Sequence, residues 1–222
     1  MTVAAAPTLS ELRERVNQMQ GRPAAQPVAT HPAFAGLLQL QTGASYSVDS
    51  ASLALALMAG PSADGAWCAI VGAAELGLEA AAAAGVELRR TILVPAPGEA
   101  WLEVTAALVD VVGVVMLSPP TAPSAKDAAR IGARLRQRGG VLIAQGEWPR
   151  SEARISMRDV EWVGLGRGHG HLQARRATIE VRRGTSPARA GQLWFPDASQ
   201  VIRRVETAPA AAEAPTRLRS VS

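Results

Sequence analysis

The sequence predicts an α/β fold: a mostly parallel sheet flanked by helices, with antiparallel strands added at its C-terminal side. Short apolar runs recur at residues 67–71, 90–94, 111–117 and 141–145, each followed within two residues by glycine or proline. Segments of helical length separate them, and strands that alternate with helices through short loops form parallel βαβ units. After Pro149 the apolar period drops to two, which suits half-solvated antiparallel strands.

Taken in order, residues 67–71 form an apolar strand ending at Gly72, and the alanine-rich stretch 76–84 has good helix propensity and stops at Gly85. Residues 90–94 make a second buried strand, cut off by Pro95-Ala-Pro97-Gly98, and a helix follows over about 99–108. The third strand, 111–117, is halted by Pro119-Pro120. A helix over 124–138 has Ser124 as its cap and Gly139-Gly140 as its close, and 141–145 is the fourth strand. Residues 153–163 and 174–183 alternate apolar and polar, with the glycine-rich 164–170 as the turn between them.

The 222 residues suit one domain of common size, with tails, and the 48% apolar content supplies a core of roughly 150 residues. No run approaches the ~18 apolar residues of a membrane span, and the N-terminus lacks the basic start and apolar centre of a signal peptide, so a cytoplasmic protein with no membrane partner is expected. The single cysteine, Cys68, lies in an apolar run and reads as a small core residue; it excludes an internal disulfide framework or zinc cluster. Two histidines in Gly168-His169-Gly170-His171 lack nearby cysteine or carboxylate ligands, so that element reads as a turn and no metal is expected.

Four segments are expected. Residues 1–20 hold an amphipathic helix, with Leu9, Leu12, Val16 and Met19 on one face and Glu11, Arg13, Glu14 and Arg15 on the other. Residues 21–39, rich in proline and alanine, read as a flexible linker, which leaves that apolar stripe to dock on another protein or to pack back on its own domain. Residues 40–205 are the folded domain, and 206–222 a disordered tail carrying Arg217 and Arg219.

Within the domain, Gly72-Ala-Ala-Glu-Leu-Gly77-Leu78-Glu79 keeps the glycine spacing of a phosphate-binding loop without its chemistry. A working loop follows its second glycine with a lysine for the phosphates and a hydroxyl for Mg²⁺. Here Leu78 and Glu79 stand there, the chain's single lysine is Lys126, and Glu79 adds negative charge where a triphosphate needs a positive helix end. Charge is uneven as well: thirteen arginines follow Trp148 against seven carboxylates. Such a surface suits phosphate backbones or an acidic partner, with Arg150, Arg154, Arg175 and Arg176 as candidate contacts.

Several stretches resemble RecA-type recombinases: Ser52-Leu-Ala-Leu-Ala-Leu-Met-Ala-Gly60, then Gly65 through Gly72 and the loop, and the strand that ends in Gln145. The order of residues 99–118, 129–143 and 162–172 is most similar to the ImuA/SulA-like branch, in particular the actinobacterial ImuA′ form; the likeness covers about residues 40–196. The resemblance implies a degenerate RecA-like domain. Its phosphate lysine and magnesium hydroxyl fall on Leu78 and Glu79, its water-activating acid near Ala96 or Pro97 with Glu99 close by, and its magnesium carboxylate near Leu117 or Ser118. No catalysis and no cofactor are therefore expected. The loops that grip DNA in that family fall at 118–125 and 146–154.

The same resemblance implies an accessory role in damage-induced mutagenesis within the SOS response. The expected partners are an ImuB-type polymerase-like protein and, through it, an error-prone replicative-type polymerase of translesion synthesis. Partner contacts are expected at Leu9, Leu12, Val16 and Met19, at Arg217 and Arg219, and at Trp148 and Trp194 as exposed tryptophans. Alternatives are a DNA-binding regulator of RecA filaments and a SulA-like division inhibitor.

Overall fold

The computed structural model describes residues 24–166 and 169–205. Its strands are β1 (Pro27–Val28), β2 (Leu40–Gln41), β3 (Ser45–Val48), β4 (Cys68–Val71), β5 (Thr91–Val94), β6 (Val114–Leu117), β7 (Val141–Gln145), β8 (Ala153–Gly166), β9 (His169–Arg182), β10 (Arg189–Trp194) and β11 (Arg203–Arg204). β1 and β2 pair with each other, and the rest form one mixed sheet in the order β11-β10-β9-β8-β3-β7-β6-β4-β5. The six strands from β8 to β5 in that order run parallel; β9, β10 and β11 continue antiparallel.

Four α-helices flank the sheet among the described residues: α1 (Ala51–Ala63), α2 (Leu78–Ala83), α3 (Trp101–Val109) and α4 (Ala125–Arg138). α1 begins where Ser50 Oγ accepts the Leu53 N–H at 3.3 Å. α4 begins on Ser124, which accepts the Asp127 N–H at 3.1 Å, and ends on Gly139 at φ 71°, a left-handed cap that suits glycine. Two clusters make the core. On one face α1 and Ala81 of α2 pack with Tyr46, Ile70, Met116, Ile143, Ile155, Ile179 and Leu193. On the other, α3 and α4 pack with Val71, Val115, Leu117 and Leu142.

The parallel strands, the 124–138 helix and the antiparallel hairpin stand where the sequence placed them, except that β6 begins at Val114 rather than at 111, where Val111 is exposed in the turn after α3. Residues 24–39 do not form a linker. His31 caps a 3-10 helix (Pro32–Phe34) through its Nδ1, and Phe34, Leu37, Leu38 and Leu40 are buried against α1. The contact is close: a Cβ on Gly60 of α1 would lie 2.7 Å from the His31 backbone nitrogen. Pro27 lies in β1 and Pro32 opens the 3-10 helix, where a missing N–H costs nothing, while the apolar residues after Pro32 anchor the segment to the core. This cover explains why α1 is buried nearly all round.

Sequence reasoning left β3 and α1 unassigned as elements, although β3 lies at the centre of the sheet. Ser45-Tyr-Ser-Val48 mixes polar and apolar residues, and its serines are buried by neighbouring strands rather than marked by hydropathy. α2 is also shorter than expected, six residues beginning at Leu78. The hairpin is longer, with pairing continued to Gly166 opposite His169.

Candidate functional site

In open α/β sheets, ligands bind beyond the carboxyl ends of the strands, where successive connections leave for opposite faces. β3 leaves for α1 on one face, while β7 leads to the 146–152 loop on the other. Only Asp49 and Ser50 separate β3 from α1, and both side chains are engaged inside the fold: Asp49 Oδ2 accepts the Met157 N–H at 2.8 Å, and Ser50 caps α1. Beside them, Gly146 N–H donates to Val48 O at 2.7 Å. Gln145 Oε1 accepts from Ser118 Oγ at 3.2 Å.

The glycine-spaced loop follows β4, one strand in from the sheet's edge at β5. Gly72 has φ 75°, and a Cβ there would lie 2.2 Å from Ser118 O, so backbone closeness explains this glycine. Two of the loop's amides are already taken: Gly72 N–H donates to Val94 O at 2.9 Å and Leu76 N–H to Ala73 O at 3.1 Å. Gly77 is the N-cap of α2, and Leu78, 41% exposed, and Glu79 occupy its first turn. Glu99 is exposed in a 3-10 helix (Gly98–Ala100), and Leu117 is buried.

The four candidate arginines separate. Arg150 takes φ 59°, left-handed for a residue with a side chain, in the β7–β8 loop. With Arg154, Arg182 and Ser47 it lines a cavity of about 430 Å³. Arg154 and Arg176 both lie on the face of the sheet that α3 and α4 cover farther along, over β8 and β9 where no described helix packs, each with a carboxylate: Arg154 with Glu147 at 2.7 Å, Arg176 with Glu161 at 2.5 Å. Arg158 and Arg182 share Glu180 on the same face.

Arg175 does not join them, because neighbouring strand residues point to opposite faces. Its guanidinium lies 5.1 Å from the Trp162 ring centre and 5.3 Å from that of Phe195. Its Nε donates to Phe195 O at 2.7 Å, and Nη2 to Ser52 Oγ at 3.3 Å. Burial lowers its pKa from the usual arginine value.

Trp148 is not an exposed contact. It is 4% exposed, packs in the α3–α4 cluster, and is held by its backbone N–H donating to Ser47 Oγ at 3.1 Å. The loop that carries it folds over the sheet, which its position after a strand did not reveal. Trp194 is half-buried, paired across the ladder with Arg176. The exposed tryptophans are Trp67 (52%) and Trp162 (51%), which sequence reasoning missed. Trp162 stands in an alternating strand, and that alternation was the available signal. Leu9, Leu12, Val16, Met19, Arg217 and Arg219 lie outside the described residues.

Among the described residues, no group of three or more His, Cys, Asp and Glu is placed to hold a metal ion, and no helix is long and apolar enough to cross a membrane.

The fold defines an α/β protein with a mixed nine-stranded sheet, whose strand-end polar groups Asp49, Ser50, Ser118 and Gln145 bond within the fold. The chain belongs to the MT3502 N-terminal domain family, whose model matches residues 33–150. It is similar to the uncharacterized protein Rv3395c of Mycobacterium tuberculosis (strain ATCC 25618 / H37Rv), with 33% identity over 136 residues, 60% of this chain and 62% of that protein. The match thus spans less than two thirds of that relative's length.

Proposed function

We propose that this protein is a non-catalytic RecA-like adaptor in DNA-damage-induced mutagenesis, acting in the cytoplasm to link an ImuB-type polymerase-like protein to an error-prone polymerase of translesion synthesis. The observation that carries this reading is that neither strand-to-helix turn offers a phosphate loop: after β4 the lysine and hydroxyl positions hold Leu78 and Glu79, and the turn from the central strand β3 to α1 is two residues long. A phosphate-binding loop needs several glycine-rich residues with free amides between strand and helix. Two residues with both side chains committed elsewhere leave little room for one. The RecA-like reading is supported by the six parallel strands and by Gln145 at the end of β7, bonded to Ser118. Without a lysine, a hydroxyl and carboxylates to position phosphate and metal, phosphoryl transfer loses the groups on which it depends.

A DNA-binding regulator of RecA filaments is the second reading, favoured by the cavity around Arg150, Arg154 and Arg182. Its ion pairs with Glu147 and Glu180 reduce the charge left for a phosphate backbone.

Capture of the tagged protein from DNA-damaged cells, with and without nuclease, tests both. The adaptor reading expects the ImuB-type protein to survive nuclease, and Leu12→Glu with Val16→Glu to abolish its retention at unchanged melting temperature. Recovery of RecA or DNA alone, lost on nuclease treatment, would favour the second reading over the first.

A further inference from the structure

Arg175 is a half-buried cation stacked between two aromatic rings, and among the described residues no carboxylate lies within ion-pair distance of it. A guanidinium removed from water in this way favours an anionic partner. It stands at one end of a groove. A cavity of about 250 Å³ beside Ser52, Arg175 and Phe195 shares Ala83, Ala84, Gln200 and Ile202 with a second of about 560 Å³, which runs past Ala59 and Gly60 to Asp64. The walls are mostly small and apolar. The ends carry opposite charges, and Asp64, like Arg175, makes no ion pair among the described residues.

We propose that this groove holds the chain's own C-terminal segment, with Glu213 meeting Arg175 and Arg217 meeting Asp64. The inference goes beyond the adaptor reading and does not need it. The segment Ala208-Pro-Ala-Ala-Ala-Glu213-Ala-Pro-Thr-Arg217 matches the groove in size and in charge order. Its alanines and prolines fit shallow walls of alanine and glycine and lose little side-chain entropy on ordering.

The lengths agree. Ser52 and Asp64 are separated by the length of α1, about 18 Å at the helical rise. Four extended residues from Glu213 to Arg217 span about 13 Å, and the two long side chains supply the remainder. The approach is short enough too. Val205 N–H bonds Gln192 O, and Arg175 N–H bonds Pro196 O. The tail therefore starts about 13 Å along the strands and two strand spacings, about 10 Å, from Arg175. Eight residues from Val205 to Glu213 reach up to about 28 Å.

Disulfide trapping in the full chain tests the placement without touching Arg175, which the fold itself needs. Ala84→Cys in the groove wall is combined with Ala214→Cys in the tail, and Ala129→Cys on α4, across the sheet, replaces the first as a control; the buried Cys68 does not compete. Under mild oxidation the groove pair is expected to close within one chain, at a rate independent of protein concentration, and well ahead of the control. Adding Glu213→Gln with Arg217→Gln should slow closure about fivefold, the scale of losing two partly exposed ion pairs. Equal rates at the two positions, indifference to the charge changes, or a disulfide formed only between chains would each overturn the intramolecular strap; the last would give the groove to a second copy.

Discussion

In β4 and β6 every residue is buried, and in β7 all but Gln145, because α1 and α2 cover one face while α3 and α4 cover the other. In β8, β9 and β10 burial alternates instead. Ala153, Ile155, Ala177, Ile179, Val181 and Leu193 pack into the α1 cluster, whereas Arg154, Arg158, Thr178 and Arg182 face outward. One sheet thus carries two regimes, and the family match ends at residue 150, just before the second begins. Helix cover dictates continuous apolar strands in one half, and its lack lets the other half carry charge.

The contrast predicts unequal costs for similar changes. Gly72 and Gly184 both have positive φ, but a Cβ at Gly72 meets Ser118 O at 2.2 Å while nothing lies within 4 Å of one at Gly184. Gly72→Ala is expected to destabilise by about 3 to 5 kcal/mol, strain and overpacking together. Gly184→Ala should cost only about 1 kcal/mol. Urea unfolding of the two variants, read at constant slope, checks this, and equal midpoints would break the comparison.

Tyr46 offers a test in the parallel half with a clean reporter, since it is the chain's single tyrosine. Burial pushes its hydroxyl pKa up to about 12, offset only in part by the hydrogen bond its oxygen accepts from the Gln41 N–H. The unfolded chain ionises near pH ~10. Stability from this group is therefore full below about pH 10 and is lost as pH rises through the folded value, by about 2 to 3 kcal/mol in all. Tyrosinate absorbance should rise together with unfolding; ionisation near pH 10 in a still-folded protein would contradict a buried β3.

Adjacent residues sharpen the antiparallel half. Arg175→Ala removes a guanidinium stacked on two rings and bonded to Phe195 O, and should cost about 1 to 2 kcal/mol. Arg176→Ala breaks only the exposed pair with Glu161, worth less than about 1 kcal/mol. Tryptophan emission is expected to respond to both variants, through Trp162 in the first and through Trp194, the cross-strand partner of Arg176, in the second, so the midpoints decide; a reversed order of midpoints would misplace the two faces of β9.

The smallest effect lies at acid pH. Asp197 is held below the usual carboxylate range, first by Arg203 and then by the Val201 and Ser199 N–H groups. Its contribution is present above the unfolded value near ~3.9 and is lost as pH falls through the lowered folded value. Asp197→Asn should flatten the acid limb of the stability curve, and a limb unchanged from the parent would remove Asp197 from that role.

Local chemistry determined much of this protein before any contact formed. The apolar runs of β4 to β7, the Ser124 cap and Gly139 stop of α4, and the period of two after Pro149 follow from side-chain pattern and backbone preference within a few residues. The mismatch of Leu78 and Glu79 with phosphate chemistry was equally legible, because it needs only residue types in order. Tertiary structure decided the rest. It placed Ser45–Val48 at the sheet's centre, pulled the proline-rich 24–39 onto α1, buried Trp148 and drew Arg175 away from Arg176. Each of these depends on which distant segment covers which face, and a short window of sequence does not contain the covering residues.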